Sequence, residues 1–292
     1  MSLESRQGLI RTGLIGVNIQ ASRSPAIHMM EARMNGLNLS YELFDLGLIA
    51  GGPASLLPVF ASVQQEGFSG VNVTFPFKQK ILSLLDDVAE DVAALGACNT
   101  VALHGGRAIG YNTDWIGFSE NFRRGLPGAK IDQVVVIGAG GAASAVAYAL
   151  VKMGAARVTV CTRELKRGQA FADRFSEIGT TQFRAVDQSD LSLDEENGII
   201  NCSQVGMYGH AGMPISADLL RPDLWVSDVV YMPLETALLR AAKALGCRTL
   251  GGGGMVVFQA AEAFRIFTSV APDRTRMLER FETEVLSEQK QR

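Results

Sequence analysis

The stretch VVVIGAGGAASAVAYALV, from Val134 to Val151, decides the fold of this chain. Its apolar start leads into Gly138, Gly140 and Gly141, and small residues follow. Glycines suit a tight turn between a strand and a helix, because there the backbone must approach a pyrophosphate at the helix N-terminus. The pattern predicts a nucleotide-binding βαβ unit, and a plain strand–helix turn is the alternative.

The same stretch limits that prediction. Its motif is G-x-G-G rather than the full G-x-G-x-x-G, and Ser144 stands where a third small residue would pack the helix on the strand. An uncharged run of 18 residues is also long enough to suggest a membrane span. The glycines interrupt the run after four residues, so we predict a helix that continues to Met153 and no span.

Composition limits the class of protein. The chain has 292 residues, which predicts two domains with a core each. A net charge of −3 gives no electrostatic reason to expect nucleic acid or an anionic membrane as a partner. The segment from Met1 to Arg11 is polar and charged, unlike a signal peptide, so we expect a cytoplasmic protein.

Cysteine and histidine usage argues against a metal site. The four cysteines are widely spaced without a C-x-x-C pair, and the three histidines do not cluster. We therefore expect free thiols and no metal ion. The cysteines are Cys98, Cys161, Cys202 and Cys247.

The first half of the chain begins with a strand and a helix. Gly13 to Asn18 predicts the strand, and Pro25 favours a helix from there to about Asn35. Ser24 fits the N-cap of that helix. Ser22 and Ser24, beside the N–H groups of a helix start, would also suit a small carboxylate, and both interpretations stay open.

A lysine follows the next predicted elements. Leu39 to Asp45 alternates as a strand, a helix ends near Gln65, and Gly70 to Val73 predicts a buried strand. Pro76 then favours a helix that would place Lys78 in its first turn, where the helix dipole disfavours a positive charge. Lys78 is a candidate for chemistry, with a solvated surface charge as the alternative.

A polar cluster is predicted at the open end of a hairpin. After a predicted helix from Leu82 to Leu95, two short runs flank Gly105-Gly106, which indicates a two-residue turn. Counting back from that turn places Asn99 opposite Asn112 and brings Asp114 to the same end. These short polar groups either form a binding cluster or simply end the strands.

The second half alternates between predicted strands and helices after the linker Leu126-Pro127-Gly128. Strands are predicted at Arg157 to Cys161, Gly198 to Cys202, Val226 to Val230 and Cys247 to Leu250, with helices at Glu235 to Leu245 and from Pro272 onward. The alternation implies a parallel sheet with right-handed crossovers. Met255 and Gln259 share a helix face at i, i+4, so one could touch a cofactor and the other a substrate.

Charge at the end of the second strand of this half bears on the cofactor. An NAD-binding fold usually presents an acidic residue there, about 20 residues past the glycines, for the ribose hydroxyls. This chain has Arg163 at that point and Arg167 one helical turn on, with Glu164 beside them. Cations suit a 2′-phosphate, so NADP is favoured over NAD, and two solvated arginines are the alternative.

Taken together, these segments resemble the shikimate dehydrogenase family, which includes the quinate/shikimate dehydrogenases. The resemblance runs from about Gly13 to Thr268. The motifs that carry it are, in order, Ser22-Arg23-Ser24-Pro25, Asn72-Val73-Thr74-x-Pro76-Phe77-Lys78, Asn99-Thr100, Asn112-Thr113-Asp114, Gly138-Ala139-Gly140-Gly141, Tyr231-x-Pro233, and Met255 with Gln259.

The resemblance implies a role for each of these positions. Lys78 and Asp114 match the catalytic pair. The expected substrate-binding residues are Ser22, Ser24, Thr74, Asn99, Tyr231 and Gln259, of which the two serines would hold a carboxylate. The expected cofactor-binding residues are Gly138, Ala139, Gly140, Gly141, Ala142, Thr162, Arg163, Arg167, Met207, Gly252 and Met255.

The resemblance also implies an architecture and a reaction. It implies an α/β substrate domain at residues 1–125, a Rossmann-type NADP-binding domain at 126–254, and C-terminal helices at 255–292 that pack back towards the substrate domain. The expected reaction is reversible NADP-dependent oxidation of the ring 3-hydroxyl of shikimate in the cleft between the domains. Lys78 would accept the hydroxyl proton and Asp114 would orient it. The expected protein is a metal-free monomer or homodimer.

Two departures from the family pattern leave alternatives open. The second strand ends Thr162-Arg163-Glu164 where many NADP-using members have Asn-Arg-Thr, and Gly16 to Gln20 lacks a proline that is common there. Ser24 favours shikimate, since NAD-preferring quinate members tend to carry threonine at that position. The alternatives are a quinate or aminoshikimate dehydrogenase, and a sensor that binds such acids without turning them over.

Overall fold

The computed structural model describes residues 8–289, with side chains described as far as residue 287. Contacts between Cα atoms divide the chain into two compact units. The first runs to Thr113 and includes Gln259–Arg280; the second comprises Asp114–Phe258 and the chain from Phe281 on. The second unit begins before residue 126 because the helix that starts at Asp114 packs on the next helix, with Trp115 edge-on to Tyr148 at 5.3 Å.

Six strands form the sheet of the first unit. They are β1 (Ile10–Gly16), β2 (Leu39–Asp45), β3 (Gly70–Val73), β4 (Asp87–Val88), β5 (Thr100–His104) and β6 (Arg107–Tyr111), in the order β2-β1-β3-β5-β6-β4. β1 runs parallel to β2 and β3, whereas β5 is antiparallel to β3 and β6.

The predicted hairpin is confirmed. β5 and β6 flank Gly105 and Gly106, which have φ of 60° and 76°, the left-handed backbone that a two-residue turn of this kind requires. The register pairs Thr100 with Tyr111, so Asn99 and Asn112 follow opposite each other at the open end.

Three helices pack on this sheet: α1 (Ser24–Met34), α2 (Leu56–Gln65) and α3 (Glu90–Leu95). The core brings α2 against the strands through Phe60, Val71 and Phe77, each at most 1% exposed. The N-cap interpretation of Ser24 is wrong. Arg23 holds the cap position without a side-chain bond, and Ser24 is already helical because the chain enters through a bend in which Ser22 Oγ accepts the Ser24 amide.

The helix predicted at Pro76 is absent. The Phe75–Pro76 peptide bond is cis, and the Phe77 amide donates to the Thr74 carbonyl at 2.8 Å in a turn. A short 3-10 helix begins only at Lys80. Lys78 therefore lies outside any helix, and the expected influence of a helix dipole on it does not apply.

The helix predicted from Leu82 to Leu95 is interrupted by β4. The Asp86 amide donates to the Ala108 carbonyl at 2.9 Å, and the Asp86 carboxylate accepts the Ala108 amide at 2.7 Å. β4 then pairs with β6, and α3 forms only the last part of the predicted helix. Pairing with a distant strand thus overrides a local helical pattern.

The sheet of the second unit is entirely parallel, as predicted. Its strands are β7 (Gln133–Ile137), β8 (Arg157–Thr162), β9 (Gln182–Asp187), β10 (Gly198–Asn201), β11 (Trp225–Asp228) and β12 (Arg248–Leu250), in the order β12-β11-β10-β7-β8-β9. This is the order of a doubly wound dinucleotide-binding fold, whose switch point lies between β7 and β10.

The helices of the second unit are α4 (Asp114–Gly125), α5 (Gly141–Met153), α6 (Leu165–Ser176) and α7 (Ala237–Ala244). α5 ends at Met153 as predicted, followed by Gly154 with φ of 88°. α7 starts after Thr236, whose Oγ1 accepts the Leu239 amide. Among residues 8–289, no helix is both long and apolar enough to cross a membrane.

The last two helices are α8 (Gly253–Thr268) and α9 (Arg274–Gln289). Within the first unit, Phe264 of α8 packs with Ala32 and Leu37. Glu31 of α1 is fully buried and accepts bonds from Arg276 at 2.6 Å and from the Asp273 amide at 2.8 Å. These contacts tie α1 to the start of α9.

Candidate active site

The two serines expected to hold a carboxylate lie at the entry to α1, and both are half-buried. Ser22 Oγ accepts the Ser24 amide at 3.3 Å, and the Ser22 amide donates to the Ile19 carbonyl at 2.9 Å. Burial raises the pKa of Tyr41 on β2, and the nearby side chain of Ser24 opposes that rise. The position of the serines therefore depends on the loop before them.

Asp45, at the end of β2, organises that loop. Its carboxylate is 4% exposed and accepts the amides of Asn18, Ile19 and Gly47 at 3.0 Å each, with the Gln20 side chain at 3.3 Å. Burial alone would raise the pKa of Asp45, but these bonds together lower it. An ionised Asp45 thus shapes this loop through hydrogen bonds to its backbone and to the Gln20 side chain.

Lys78 lies in the turn after β3 and is half-buried. Its backbone carbonyl accepts the Cys98 amide at 2.8 Å, and the neighbouring Phe77 is fully buried. Thr74, at the start of the same turn, donates its amide to the Ile15 carbonyl at 2.9 Å. These bonds fix the Lys78 backbone beside the segment that leads to Asn99.

Asn99 is the centre of a buried polar cluster. Its Oδ1 accepts the Thr113 amide at 2.7 Å and its Nδ2 donates to Thr113 Oγ1 at 3.0 Å. Thr113 Oγ1 also lies 3.4 Å from Gln259 Oε1. Asn99 and Thr113 thus form a polar cluster at the open end of the hairpin, and Gln259 of α8 lies against it. Asn112 Nδ2 donates to the Ala97 carbonyl at 2.9 Å.

The sequence assigned no role to two residues of this unit, Tyr41 and Asn72, although Asn72 opens the motif that contains Lys78. Tyr41 is 7% exposed and donates its hydroxyl to Asn72 Oδ1 at 2.8 Å. Asn72 Nδ2 in turn donates to Thr100 Oγ1 at 3.0 Å and to the Asn99 carbonyl at 3.2 Å. The pair thus links β2 to the Asn99 cluster. Alternation in β2 marks Tyr41 only as a core position, so no local signal reveals the link.

Asp114, the other expected catalytic residue, is the first residue of α4 and follows Thr113 directly. The structure places its carboxylate in the first helical turn, where the positive end of the helix dipole favours a negative charge. Asn99 bonds to Thr113, and Asp114 follows Thr113 directly. The polar cluster is therefore continuous along the chain with the acidic first turn of α4.

The glycine turn of the second unit fits a dinucleotide phosphate. Gly138 has φ of 103°, which other residues rarely adopt, and a Cβ there would lie 3.3 Å from the Cys202 carbonyl oxygen. At Gly140 and Gly141 a Cβ would meet no atom within 4 Å. Gly140 caps α5 with no side-chain bond, and the first N–H groups of a helix have no partner within the helix, which suits an anion at this end. Ala139 and Ala142, half-buried, line the same turn.

Cations lie beside this turn. Arg163 and Arg167 are exposed where β8 ends and α6 begins, and Arg167 donates to the Ala139 carbonyl at 3.4 Å. Thr162 is 9% exposed, and its hydroxyl donates to the Glu164 carbonyl at 3.0 Å. Arg163 and Arg167 are thus the groups at this edge that could meet a ribose phosphate.

Two loops at the same edge of the parallel sheet are joined to each other. The loop after β10 carries Met207, which is 37% exposed, and the loop after β11 carries Tyr231, which is half-buried. The Tyr208 amide donates to the Met232 carbonyl at 3.1 Å. Tyr231 also lies 6.2 Å from the ring of Phe281.

Asp228, another residue that sequence reasoning missed, anchors both loops. Its Oδ1 accepts Asn201 Nδ2 at 2.9 Å and the Val230 amide at 3.0 Å, and its Oδ2 accepts the Thr236 hydroxyl at 2.7 Å. Asn201 Oδ1 in turn accepts the Ser203 amide and hydroxyl. Burial raises the pKa of Asp228 to about 6, although these three bonds oppose the rise.

The expected residues of α8 differ in exposure. Gly252, just before the helix, lies so close to the Val229 carbonyl oxygen that a Cβ would sit 2.2 Å from it. Met255 is 9% exposed and belongs to the second unit, whereas Gln259 is half-buried and belongs to the first. Only glycine fits at position 252.

Family models match both parts of the chain. The model described as "Shikimate dehydrogenase substrate binding domain" matches residues 14–101, and that described as "Shikimate / quinate 5-dehydrogenase" matches residues 122–205. The first span contains the serines, Lys78 and Asn99. The second contains the glycine turn and the cations after β8.

Relatives resemble the chain over most of its length. A shikimate dehydrogenase (NADP(+)) from Streptomyces avermitilis is 47% identical over 269 residues, 91% of this chain and 92% of the relative. A quinate/shikimate dehydrogenase (NAD(+)) from Corynebacterium glutamicum is 43% identical over 277 residues, 93% and 98% of the two chains.

The same fold is found in a solved relative. The structure of quinate dehydrogenase from Corynebacterium glutamicum in complex with NAD superposes with a TM-score of 0.90 at 40% identity, covering 94% of this chain and 100% of that one. Sequence, fold and the order of the site motifs agree: this chain belongs to the shikimate dehydrogenase family.

Proposed function

We propose that this protein catalyses the reversible NADP-dependent oxidation of the ring 3-hydroxyl of shikimate to 3-dehydroshikimate. The observation that carries the proposal is the buried cluster in which Asn99, Thr113 and Gln259 converge next to the Lys78 turn. Amide and hydroxyl groups fixed in this way suit the recognition of a polyhydroxylated ring. The Streptomyces relative, named for this substrate and NADP, supports the same assignment.

The catalytic step assigned to the protein is a proton transfer. Oxidation of a secondary alcohol removes a hydride from the carbinol carbon and a proton from the hydroxyl. The bound nicotinamide supplies the hydride acceptor. Lys78 accepts the hydroxyl proton in oxidation and returns it in reduction, and Asp114 is the second member of the catalytic pair.

The remaining assigned residues orient the substrate. Ser22 and Ser24 bind its carboxylate through their hydroxyls, and Tyr231 is assigned near the same group. Asn99, Gln259 and Thr74 bind the ring hydroxyls. Asp45 keeps the loop before the serines in place, because two of its bonds go to the backbone amides of Asn18 and Ile19 in that loop.

The assignment of NADP rests on charge. A phosphate on the ribose needs cations, and Arg163 and Arg167 are exposed beside the glycine turn. Gly138, Gly140 and Gly141 take the pyrophosphate at the start of α5. Glu164, next to Arg163, favours the second candidate, in which NAD is the cofactor and quinate the substrate, as in the name of the Corynebacterium relative.

A pair of lysine variants tests the mechanism. Lys78→Ala should lower kcat for shikimate oxidation by about 10²- to 10⁴-fold, the usual contribution of a positioned acid or base. Lys80→Ala is the matched control, because Lys80 is exposed and only two residues away. The KM for shikimate should change little in either variant. Unchanged kcat in Lys78→Ala would remove Lys78 from the chemistry.

A further inference from the structure

Asn201 and Asp228 are the last residues of two neighbouring parallel strands, β10 and β11, and the register pairs them. The carboxyl ends of parallel strands meet at one edge of the sheet, so the loops that follow these strands start side by side. Both residues are at most 1% exposed. Asn201 Nδ2 donates to Asp228 Oδ1 at 2.9 Å, which connects the two loops at their base.

Each of these side chains also binds the loop that follows its own strand. Asn201 Nδ2 donates to the Val205 carbonyl at 3.0 Å. Asp228 Oδ1 accepts the Val230 amide at 3.0 Å, and its Oδ2 accepts the hydroxyl of Thr236, the N-cap of α7, at 2.7 Å. The Asp228 carboxylate therefore binds both ends of the loop after β11 and, through Asn201, the loop after β10.

The two loops also contact each other at two further points. The Tyr208 amide donates to the Met232 carbonyl at 3.1 Å. Gly206 has φ of 104°, and a Cβ there would lie 3.4 Å from Thr236 Cβ. The loop after β10 thus packs against the residue whose hydroxyl Asp228 holds, so neither loop can shift alone without breaking these contacts.

We propose that Asp228 is a positioning residue that joins the two loops into one unit, so that cofactor and substrate bind to a single shared arrangement. Met207, assigned to the cofactor, lies on the loop after β10, and Tyr231, assigned near the substrate carboxylate, lies on the loop after β11. Asp228 is 1% exposed and acts through the loops. This inference rests on the proposed function, which supplies both ligand assignments.

A shared arrangement has a thermodynamic consequence. The apparent affinity for a ligand falls in proportion to the fraction of protein in which the binding arrangement is present. Without the Asp228 carboxylate this fraction is smaller, and it is the same fraction for cofactor and substrate. Binding of one ligand then restores the arrangement for the other, so a positive coupling appears that the wild type does not need.

Calorimetric titrations with NADPH and shikimate measure this coupling. Both compounds are reduced, so no hydride passes between them and binding is measured without turnover. In Asp228→Ala both dissociation constants should rise by the same factor, about ten- to hundredfold, the weight of one hydrogen bond to a charged group. With the other ligand saturating, each constant should return to the wild-type value.

A conservative variant covers the case in which Asp228→Ala does not fold. Asp228→Asn keeps one oxygen for Asn201 and Val230 and turns its nitrogen towards Thr236, whose hydroxyl can accept. It should show the same coupling with smaller factors, because a hydrogen bond to a neutral group is weaker.

Three control variants separate positioning from stability and from direct contact. Glu196→Gln alters another buried carboxylate, 3% exposed, which lies just before β10 at the opposite edge of the sheet and accepts the Thr159 hydroxyl. It should unfold at lower urea concentration with both dissociation constants unchanged. Met207→Ala should weaken NADPH alone and Tyr231→Phe shikimate alone, and neither should create coupling.

Unequal factors for the two ligands in the Asp228 variants, or constants that do not respond to the second ligand, would overturn the inference. If the coupling is present but no cofactor is reduced in the turnover assay, the inference holds and only the proposed reaction fails. If shikimate is turned over and the coupling is absent, the inference alone fails. Absence of NADPH or shikimate binding to the wild type overturns it as well.

Discussion

Replacement of His28 tests how the first unit responds to acid. His28 is fully buried on α1, with Tyr41, Phe264 and Phe267 rings 4.8, 6.2 and 5.9 Å away, and neither of its nitrogens has a hydrogen-bond partner. Burial therefore lowers the pKa of His28 from 6.5 to about 3.

This pKa difference has a definite sign. In the unfolded chain His28 takes up a proton near pH 6.5, whereas in the folded protein it stays neutral until about pH 3. The contribution of neutral His28 to the free energy of unfolding is intact above pH 6.5 and is lost as the pH falls from 6.5 towards 3. At pH 5 the loss is about 2 kcal/mol of unfolding free energy, from 1.5 pH units at 1.36 kcal/mol each.

His28→Leu keeps a similar volume but cannot titrate. Between pH 7.5 and pH 5 the variant should lose about 2 kcal/mol less unfolding free energy than the wild type. At pH 7.5 it should be at least as stable, because two buried nitrogens without partners are removed. His104→Gln, at the exposed tip of the hairpin, is the matched control and should show the wild-type loss.

Urea unfolding followed by far-UV circular dichroism measures these differences. Tryptophan fluorescence is unsuitable, because Trp115 and Trp225 both belong to the second unit and His28 belongs to the first. Hydrogen exchange of peptides from α1 shows whether the change in stability arises in the first unit, which contains His28. An equal loss of stability in His28→Leu and the wild type would refute burial of a neutral imidazole as the cause.

Three further predictions concern ion pairs and charges. Arg276→Ala should lower the free energy of unfolding, measured in urea, by about 3 kcal/mol because it leaves the fully buried Glu31 without its cation. Arg274→Ala should lower it less, because the carboxylate partner of Arg274 keeps a second arginine. Arg163→Ala should raise the KM for NADP about tenfold in initial-rate assays while leaving the KM for NAD unchanged; equal effects on both would contradict the phosphate role. Asp228→Asn should remove a loss of stability of about 2 kcal/mol that the wild type shows as pH rises from 4 to 7, since the folded pKa of about 6 lies above the ordinary 3.8. Tryptophan fluorescence in urea checks the last one, and parallel pH curves for variant and wild type would contradict it.

Patterns with a strong local cause were predictable from the sequence. β2 has the predicted bounds, Leu39–Asp45, because apolar and polar residues alternate along it, and α5 ends at Met153 because Gly154 follows. The hairpin register followed from Gly105-Gly106, and that register placed Asn99. The glycine turn likewise required no distant partner to be recognised.

Features decided by distant partners were not predictable. β9 is an edge strand whose residues are exposed or half-buried, so it lacks an apolar run, and its position is set by pairing with β8. Pro76 suggested a helix that the turn closed by Thr74 and Phe77 replaces. Asp45 organises its loop through residues 25 to 27 positions earlier.

The residues of the candidate site also fall into those that a local motif indicates and those that only distant contacts reveal. Lys78, Asn99 and the glycines stand in short motifs that point to their chemistry. Asn72 stands in the motif of Lys78 but received no role, and Tyr41 carries no such signal, because the two lie on different strands and contact each other across the sheet, 31 residues apart. Sequence patterns indicate groups whose chemistry suits a ligand, and the buried groups around them emerge only from the folded chain.

The central claim is tested most directly by initial rates of cofactor reduction by the purified protein, with shikimate and quinate each paired with NADP and with NAD. The account predicts that shikimate with NADP gives the highest kcat/KM of the four pairs. Preference for quinate or for NAD would contradict the assignment of Ser24 and Arg163. Absence of reduction in all four pairs by a folded protein would contradict the proposed reaction itself.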